Sequence, residues 1–184
     1  MHMDWRLFQQ LNIVIHFEEL DSSFLLFTHS GEGSMSKVIA VNISTEKGVR
    51  KHTIPVCKLV IDHGIEGDAH AGKWHRQISL LAQESIDKMQ ATLTDIQLKP
   101  GDFAENITTT GIAVMKLPIG TRLKVGSEAE LEVTQIGKEC HMACEIRKIV
   151  GDCVMPREGI FAIVIREGEI RPGDEIVIIE KKTV

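Results

Sequence analysis

Two stretches of this chain gather side chains able to do chemistry. The first runs Glu139-Cys140-His141-Met142-Ala143-Cys144, with Cys153 further on, so that three of the four cysteines fall within 14 residues. If a strand ends at Cys140 and a helix begins near Cys144, Cys140 sits in the positive field of a helix N-terminus. Lys138 or His141 beside it adds charge of the same sign, and both effects lower a thiol pKa. The resulting thiolate can accept sulfane sulfur, attack an electrophile or ligate a soft metal. Cys57 and Cys153 read instead as small core residues. Cys140, His141, Cys144 and Cys153 also form a set of four soft ligands, although their spacing lacks the paired C-x2-C knuckles of common structural zinc sites.

The second stretch is Gly64-Ile65-Glu66-Gly67-Asp68-Ala69-His70-Ala71-Gly72, followed by Lys73-Trp74-His75-Arg76-Gln77. Glycines open backbone conformations closed to other residues and let a ligand approach N–H groups, while His and Arg supply donors for an anion. Residues 48–78 hold five Lys or Arg against three acids, and four of the eight histidines, in a chain whose net charge is -5. A compact anion such as one phosphate suits this segment; a glycine-rich turn carrying solvated charges is the alternative. Asp68 and His70, an i, i+2 pair, are weak evidence for a metal. The chain contains no Walker loop, dinucleotide fingerprint or nucleophile elbow.

The elements that must position these residues read as short strands. Apolar runs at 37–43, 53–56, 58–61, 78–81, 122–125, 130–136, 160–165 and 175–179 are separated by turn residues. Helices are expected at 83–91, where Ile86 and Met89 share a face, and near 144–150, stopped by Gly151. Many short strands at this spacing predict a mainly β protein built as a closed barrel with a few short helices. Only 4% of residues are aromatic, so the core must rest on Val, Ile, Leu and Met.

Residues 1–34 differ in character: Trp5, Phe8, Leu11 and Ile15 recur at helical spacing, and Gly31-Glu32-Gly33-Ser34 precede Met35. They read as an N-terminal extension or an expression remnant, with a docking helix as the alternative, ahead of one domain at 35–184. The acidic balance argues against a nucleic-acid partner. The apolar stretch at 11–17 is far shorter than the about 20 residues of a membrane span and has no basic flank. Four cysteines in a chain of this length without a secretory leader predict a reduced, cytoplasmic protein.

The order of the Gly64-to-Gly72 loop, Gln77-Ile78-Ser79-Leu80-Leu81, Pro100-Gly101-Asp102-Phe103-Ala104-Glu105-Asn106-Ile107, Leu117-Pro118-Ile119-Gly120 and a strand ending in Cys140 resembles the MOSC family, the C-terminal domain of molybdenum cofactor sulfurases and also a stand-alone protein. The resemblance spans about 36–180. It implies a β-barrel whose glycine-rich loop, Phe-x-Glu-Asn segment and Cys line one pocket. Cys140 would be the functional thiol, carrying persulfide sulfur or ligating molybdenum. Gly67, Asp68, His70 and Gly72 would shape the pocket, and Glu105 and Asn106 would bond ligand or loop. The basic side chains Arg50, Lys51, Lys73 and Arg76 suit the terminal phosphate of molybdenum cofactor. Because His141, Cys144 and Cys153 crowd the same segment, Cys144 could resolve a Cys140 persulfide or join it on a metal. Pyridoxal phosphate, which the family name brings with it, finds no lysine in a Schiff-base context. Two further readings stay open: a molybdenum-dependent reductase of N-hydroxylated compounds that needs a redox partner, and a domain stabilised by zinc or an iron-sulfur centre. Cofactor-synthesis and sulfur-donor proteins are the expected partners, and the oligomeric state is left open.

Overall fold

A computed structural model describes residues 35–139 and 145–181. Strict alternation makes the centre of the sheet: in β8 (Ala129–Ile136) Ala129, Leu131 and Val133 are fully buried while Glu130 and Glu132 are partly exposed. A period of two places every second side chain on the core face. β7 (Arg122–Val125) does the same with Leu123 and Val125. By contrast β5 (Ile78–Ala82) is buried at every position. It is covered on both faces, with Ile78, Leu80 and Ala82 in one apolar cluster and Leu81 in a second that includes Phe103, Met155 and Phe161.

The remaining elements are β1 (Lys37–Ile43), β2 (His52–Ile54), β3 (Cys57–Val60), β4 (Gly64–Ile65), α1 (Gln83–Gln90), β6 (Ile107–Thr110), a 3-10 turn (Val114–Lys116), α2 (Glu145–Val150), α3 (Met155–Glu158), β9 (Ile160–Arg166), β10 (Gly168–Ile170) and β11 (Ile176–Glu180). Eight strands form one sheet in the order β11-β7-β8-β9-β5-β6-β1-β2, and β10-β3-β4 form a second. β5 and β6 pair in parallel, Leu80 opposite Ile107, and α1 lies in the crossover between them. The other pairs are antiparallel.

The mainly β class and the short helices agree with the sequence, while the expected closure of the barrel is not reached. The chain before β11 meets the start of β1 through a single Lys37–Glu175 bridge, with Val38 N–H donating to Asp174 O (2.9 Å) and Ile176 N–H to Ser36 O (2.8 Å). From Val41 onward that edge of β1 is taken by β2, so only the start of β1 is left to meet the chain before β11. Among the described residues no helix is long and apolar enough to cross a membrane.

Candidate functional site

Asp68 organises the loop that follows β4. Its carboxylate accepts from the backbone N–H of His70 (2.9 Å, Oδ1) and of Ser44 (3.1 Å, Oδ2), and Oδ2 pairs with the Lys51 ammonium. The side chains of Lys51 and Asp68 are 1% and 0% exposed, so the pair is held away from water. Burial by itself would raise the Asp68 pKa, but the hydrogen bonds from His70 and Lys51 and the Lys51 charge hold it well below the usual carboxylate range. Burial pushes Lys51 down, against the pull of Asp68 and Glu105. Gly64 carries φ +106°, and a Cβ there would stand 2.8 Å from the Gln77 carbonyl oxygen, which pins the loop against the start of β5.

The loop delivers His70 to the wall of a cavity of about 170 Å³, lined also by Trp74, Arg76, Ser79, Asn106, Lys138 and Phe161 among others. That is below the roughly 300–1,000 Å³ of sites that swallow a whole drug-sized ligand, so the cavity fits a small group or one end of a larger one. His70 Nδ1 stands 3.4 Å from Lys51 Nζ and 3.5 Å from Asp68 Oδ1. The Arg76 guanidinium lies over Trp74 (4.8 Å to the ring centroid) and faces Phe161 at 5.6 Å. Its Nε is buried with no hydrogen-bond partner among the described residues. A buried N–H of a cation without an acceptor costs free energy that a bound anion would return. Trp74 in turn donates its Nε1–H to the His70 carbonyl (2.9 Å), coupling the arginine's platform to the histidine.

On this wall Asn106, just ahead of β6, ties β5 to β1. Its Oδ1 accepts from the Ser79 N–H (3.1 Å) and hydroxyl (3.0 Å), and its Nδ2 donates to the Asn42 carbonyl (3.2 Å). Glu105, fully buried, accepts from Gly101 N–H (2.6 Å), Phe103 N–H (3.2 Å) and the Thr108 hydroxyl (2.8 Å).

Of the sequence candidates, His70, Arg76 and Asn106 meet at the cavity. Asp68 stands directly behind His70, whereas Glu105 turns into its own loop. Arg50 reaches Asp102 (3.4 Å) and Lys51 reaches Asp68, so neither charge faces the cavity. Lys73 pairs at the surface with Asp62 (2.9 Å). Gly67 is exposed with φ +82° at the loop's tip, and the Gly72 N–H bonds the His63 carbonyl (2.6 Å). Cys140, His141 and Cys144 lie outside the described residues. Cys153 is buried in the second apolar cluster, and burial pushes the Cys57 thiol up to about 12, as expected of core thiols. Among the described residues no three His, Cys, Asp or Glu gather as a metal site. Ser79 and Phe161 carry no signal of their own in the sequence, and Lys138 stands out there only as a charge beside Cys140; Trp74, two residues before Arg76 in a chain so poor in aromatics, was the available signal.

The cavity is expected to bind inorganic phosphate, and Arg76→Leu should weaken that binding by about tenfold or more, the worth of one charged hydrogen bond. Calorimetric titration of both proteins reads this directly. Equal affinities would mean that the guanidinium serves only to pack between the two rings.

The family model of the MOSC domain matches residues 67–177. In three dimensions the chain is similar to the YuaD protein of Bacillus subtilis, at 21% identity and TM-score 0.64, covering 77% of this chain and 94% of that one. It is also similar to YiiM of Geobacillus stearothermophilus (18% identity, TM-score 0.59, 79% of this chain and 75% of that one) and to YiiM of Escherichia coli (15%, 0.58, 80% and 72%). No curated protein matches the sequence.

Proposed function

Because the chain belongs to the MOSC domain family, we propose that it is a molybdenum cofactor-binding domain in which the Cys140 thiolate carries persulfide sulfur or ligates molybdenum. The observation that carries this reading is the cavity with the orphaned Arg76 Nε. Arg76 would hold the anionic end of the cofactor, with Lys138 on the same wall two positions ahead of Cys140 in the sequence. The volume suits that end rather than the whole pterin. When bound, the cofactor supplies the redox chemistry of molybdenum; the chain supplies a donor wall, a dry Asp68–Lys51 support and a thiol.

Elemental analysis with intact mass, on wild type and Cys140→Ser purified anaerobically from a host that makes molybdenum cofactor, tests this. Near-stoichiometric molybdenum lost in the variant is the result expected of a ligand. One added sulfur without metal, lost in the variant, is the result expected of a persulfide carrier. Molybdenum and sulfur unchanged by the substitution would refute the role of Cys140, and zinc or iron in their place would point to a metal-stabilised domain.

A second reading, a reductase of N-hydroxylated compounds working with a separate redox partner, is favoured by one observation. His70 on the cavity wall is backed by a buried carboxylate, an arrangement suited to proton transfer.

A further inference from the structure

We propose that His70 is the proton donor of this site, positioned by Asp68, for reductive cleavage of an N–O bond; the assignment rests on the reductase reading above. Nδ1 is taken up by the buried Asp68–Lys51 pair, so the nitrogen left to meet a cavity ligand is Nε2. Asp68 is itself fixed by the Ser44 and His70 N–H groups and by Lys51, so it cannot swing away from the ring. The Trp74 bond to the His70 carbonyl fixes the backbone on the other side. A histidine with one nitrogen on an immobile carboxylate and the other facing a ligand has the construction of a general acid and base. Among the described residues the other charged groups on the cavity wall are Arg76 and Lys138, both basic. Among the described residues neither of these has a carboxylate partner, whereas His70 is backed by Asp68, so His70 is the group built to pass a proton.

The step balances as follows. A hydroxylamine takes two electrons, supplied one at a time by a reduced viologen dye. Its N–O bond breaks, the departing hydroxyl receives the Nε2 proton of His70 and leaves as water, and a proton from solvent completes the amine. His70 then holds its remaining proton on Nδ1, facing Asp68 Oδ1, and is reprotonated at Nε2 from solvent.

Two measurements test this. Nitrogen-15 NMR of the cofactor-free protein, taken at a pH high enough that the ring has given up one proton and with the His70 signals assigned by their absence in His70→Asn, should find the remaining proton on Nδ1. Water favours the Nε2 form, and finding it here would mean that Lys51 donates to Nδ1 and that Asp68 does not orient the ring, which overturns the assignment. In cofactor-loaded protein with reduced viologen and an aryl hydroxylamine, His70→Asn should lower turnover by about a hundredfold or more with molybdenum content unchanged. Added imidazole should restore part of the turnover of His70→Gly. Turnover within a few-fold of wild type, or molybdenum lost in parallel with turnover, makes His70 a holding residue and overturns the proposal. Wild type that is fully loaded yet inactive refutes the reductase reading, and the assignment with it. Wild type without molybdenum refutes the cofactor reading instead, and the NMR tautomer then reports separately on the Asp68–His70 geometry.

Discussion

Asp68→Asn should destabilise the protein by about 3–5 kcal/mol, because it leaves the Lys51 ammonium buried without a counter-charge. The pair is out of water on both sides and Asp68 also accepts two backbone N–H groups, so the structure offers Lys51 no solvent to fall back on. Lys51→Met should cost less than Asp68→Asn, since the remaining carboxylate keeps its backbone donors. Combining Asp68→Leu with Lys51→Met should cost less than the sum of the two single changes, the mark of residues that interact directly. The sign of the pH dependence follows from the pKa of Asp68, which folding lowers. Below its folded pKa the native carboxyl is protonated and its bonds are lost. Above the unfolded value of about 3.9 the full contribution is present. Wild type should therefore lose stability as pH falls below about 4, where the unfolded carboxyl takes up protons first. Asp68→Asn should lack this component of the acid loss. Urea midpoints between pH 3 and pH 7 for the two proteins measure both effects, and a difference at neutral pH under 1 kcal/mol would mean that water reaches Lys51.

What the sequence reveals and what it hides divides along physical lines. Residues 37–43 and 122–125 were legible to the residue because alternation or an unbroken apolar run encodes burial directly. Ile107–Thr110 was not read as a strand: its three threonines look like a polar loop, yet Thr108 and Thr109 are fully buried. Thr108 earns its place by donating to Glu105 and accepting from Asn42 (3.2 Å), partners on the preceding loop and on β1, and such satisfaction is invisible to a hydropathy pattern. The barrel stays open because β2 lies on residues 41–43 of β1 and the chain before β11 meets only its start, a matter of register that composition does not encode. At the site, counting charges placed Arg50 and Lys51 with Arg76 as anion donors. A count cannot see that Asp102 and Asp68 neutralise the first two, or that Arg76, lying against Trp74 and Phe161, has no acceptor for its Nε among the described residues. The motif order names His70, Asp68 and Asn106 together but not what holds them, because most of their bonds are long-range: Asp68 reaches Ser44 and Lys51, and Asn106 reaches Ser79 and Asn42.

Glu105→Ala should cost at least about 3 kcal/mol, since it strands three buried donors, each worth roughly 1–3 kcal/mol when left unpaired. The loss falls on the loop that supports the cavity. Gly101, at φ +89° and packed on the Lys51 carbonyl, receives the Lys51 N–H on its own carbonyl (2.9 Å) and gives its N–H to Glu105. Releasing that loop therefore loosens the backbone of Lys51 and, through Lys51, the support beneath His70. The pH signature should run opposite to that of Asp68. Burial pushes the Glu105 pKa up, against the donors from Gly101, Thr108 and Phe103. The native state then holds its proton more tightly than the unfolded chain, and this group's contribution to stability is complete below the unfolded value of about 4.3 and declines as pH rises through the folded one. Glu105→Gln keeps one acceptor oxygen but turns an amide N–H toward the Phe103 N–H, so it should be less stable than wild type in mild acid. Its deficit should shrink as pH rises, because the variant has no charge to bury. Denaturant midpoints from pH 4 to pH 8 decide the matter: a deficit that grows with pH would mean that the three donors outweigh burial and hold Glu105 as a carboxylate throughout.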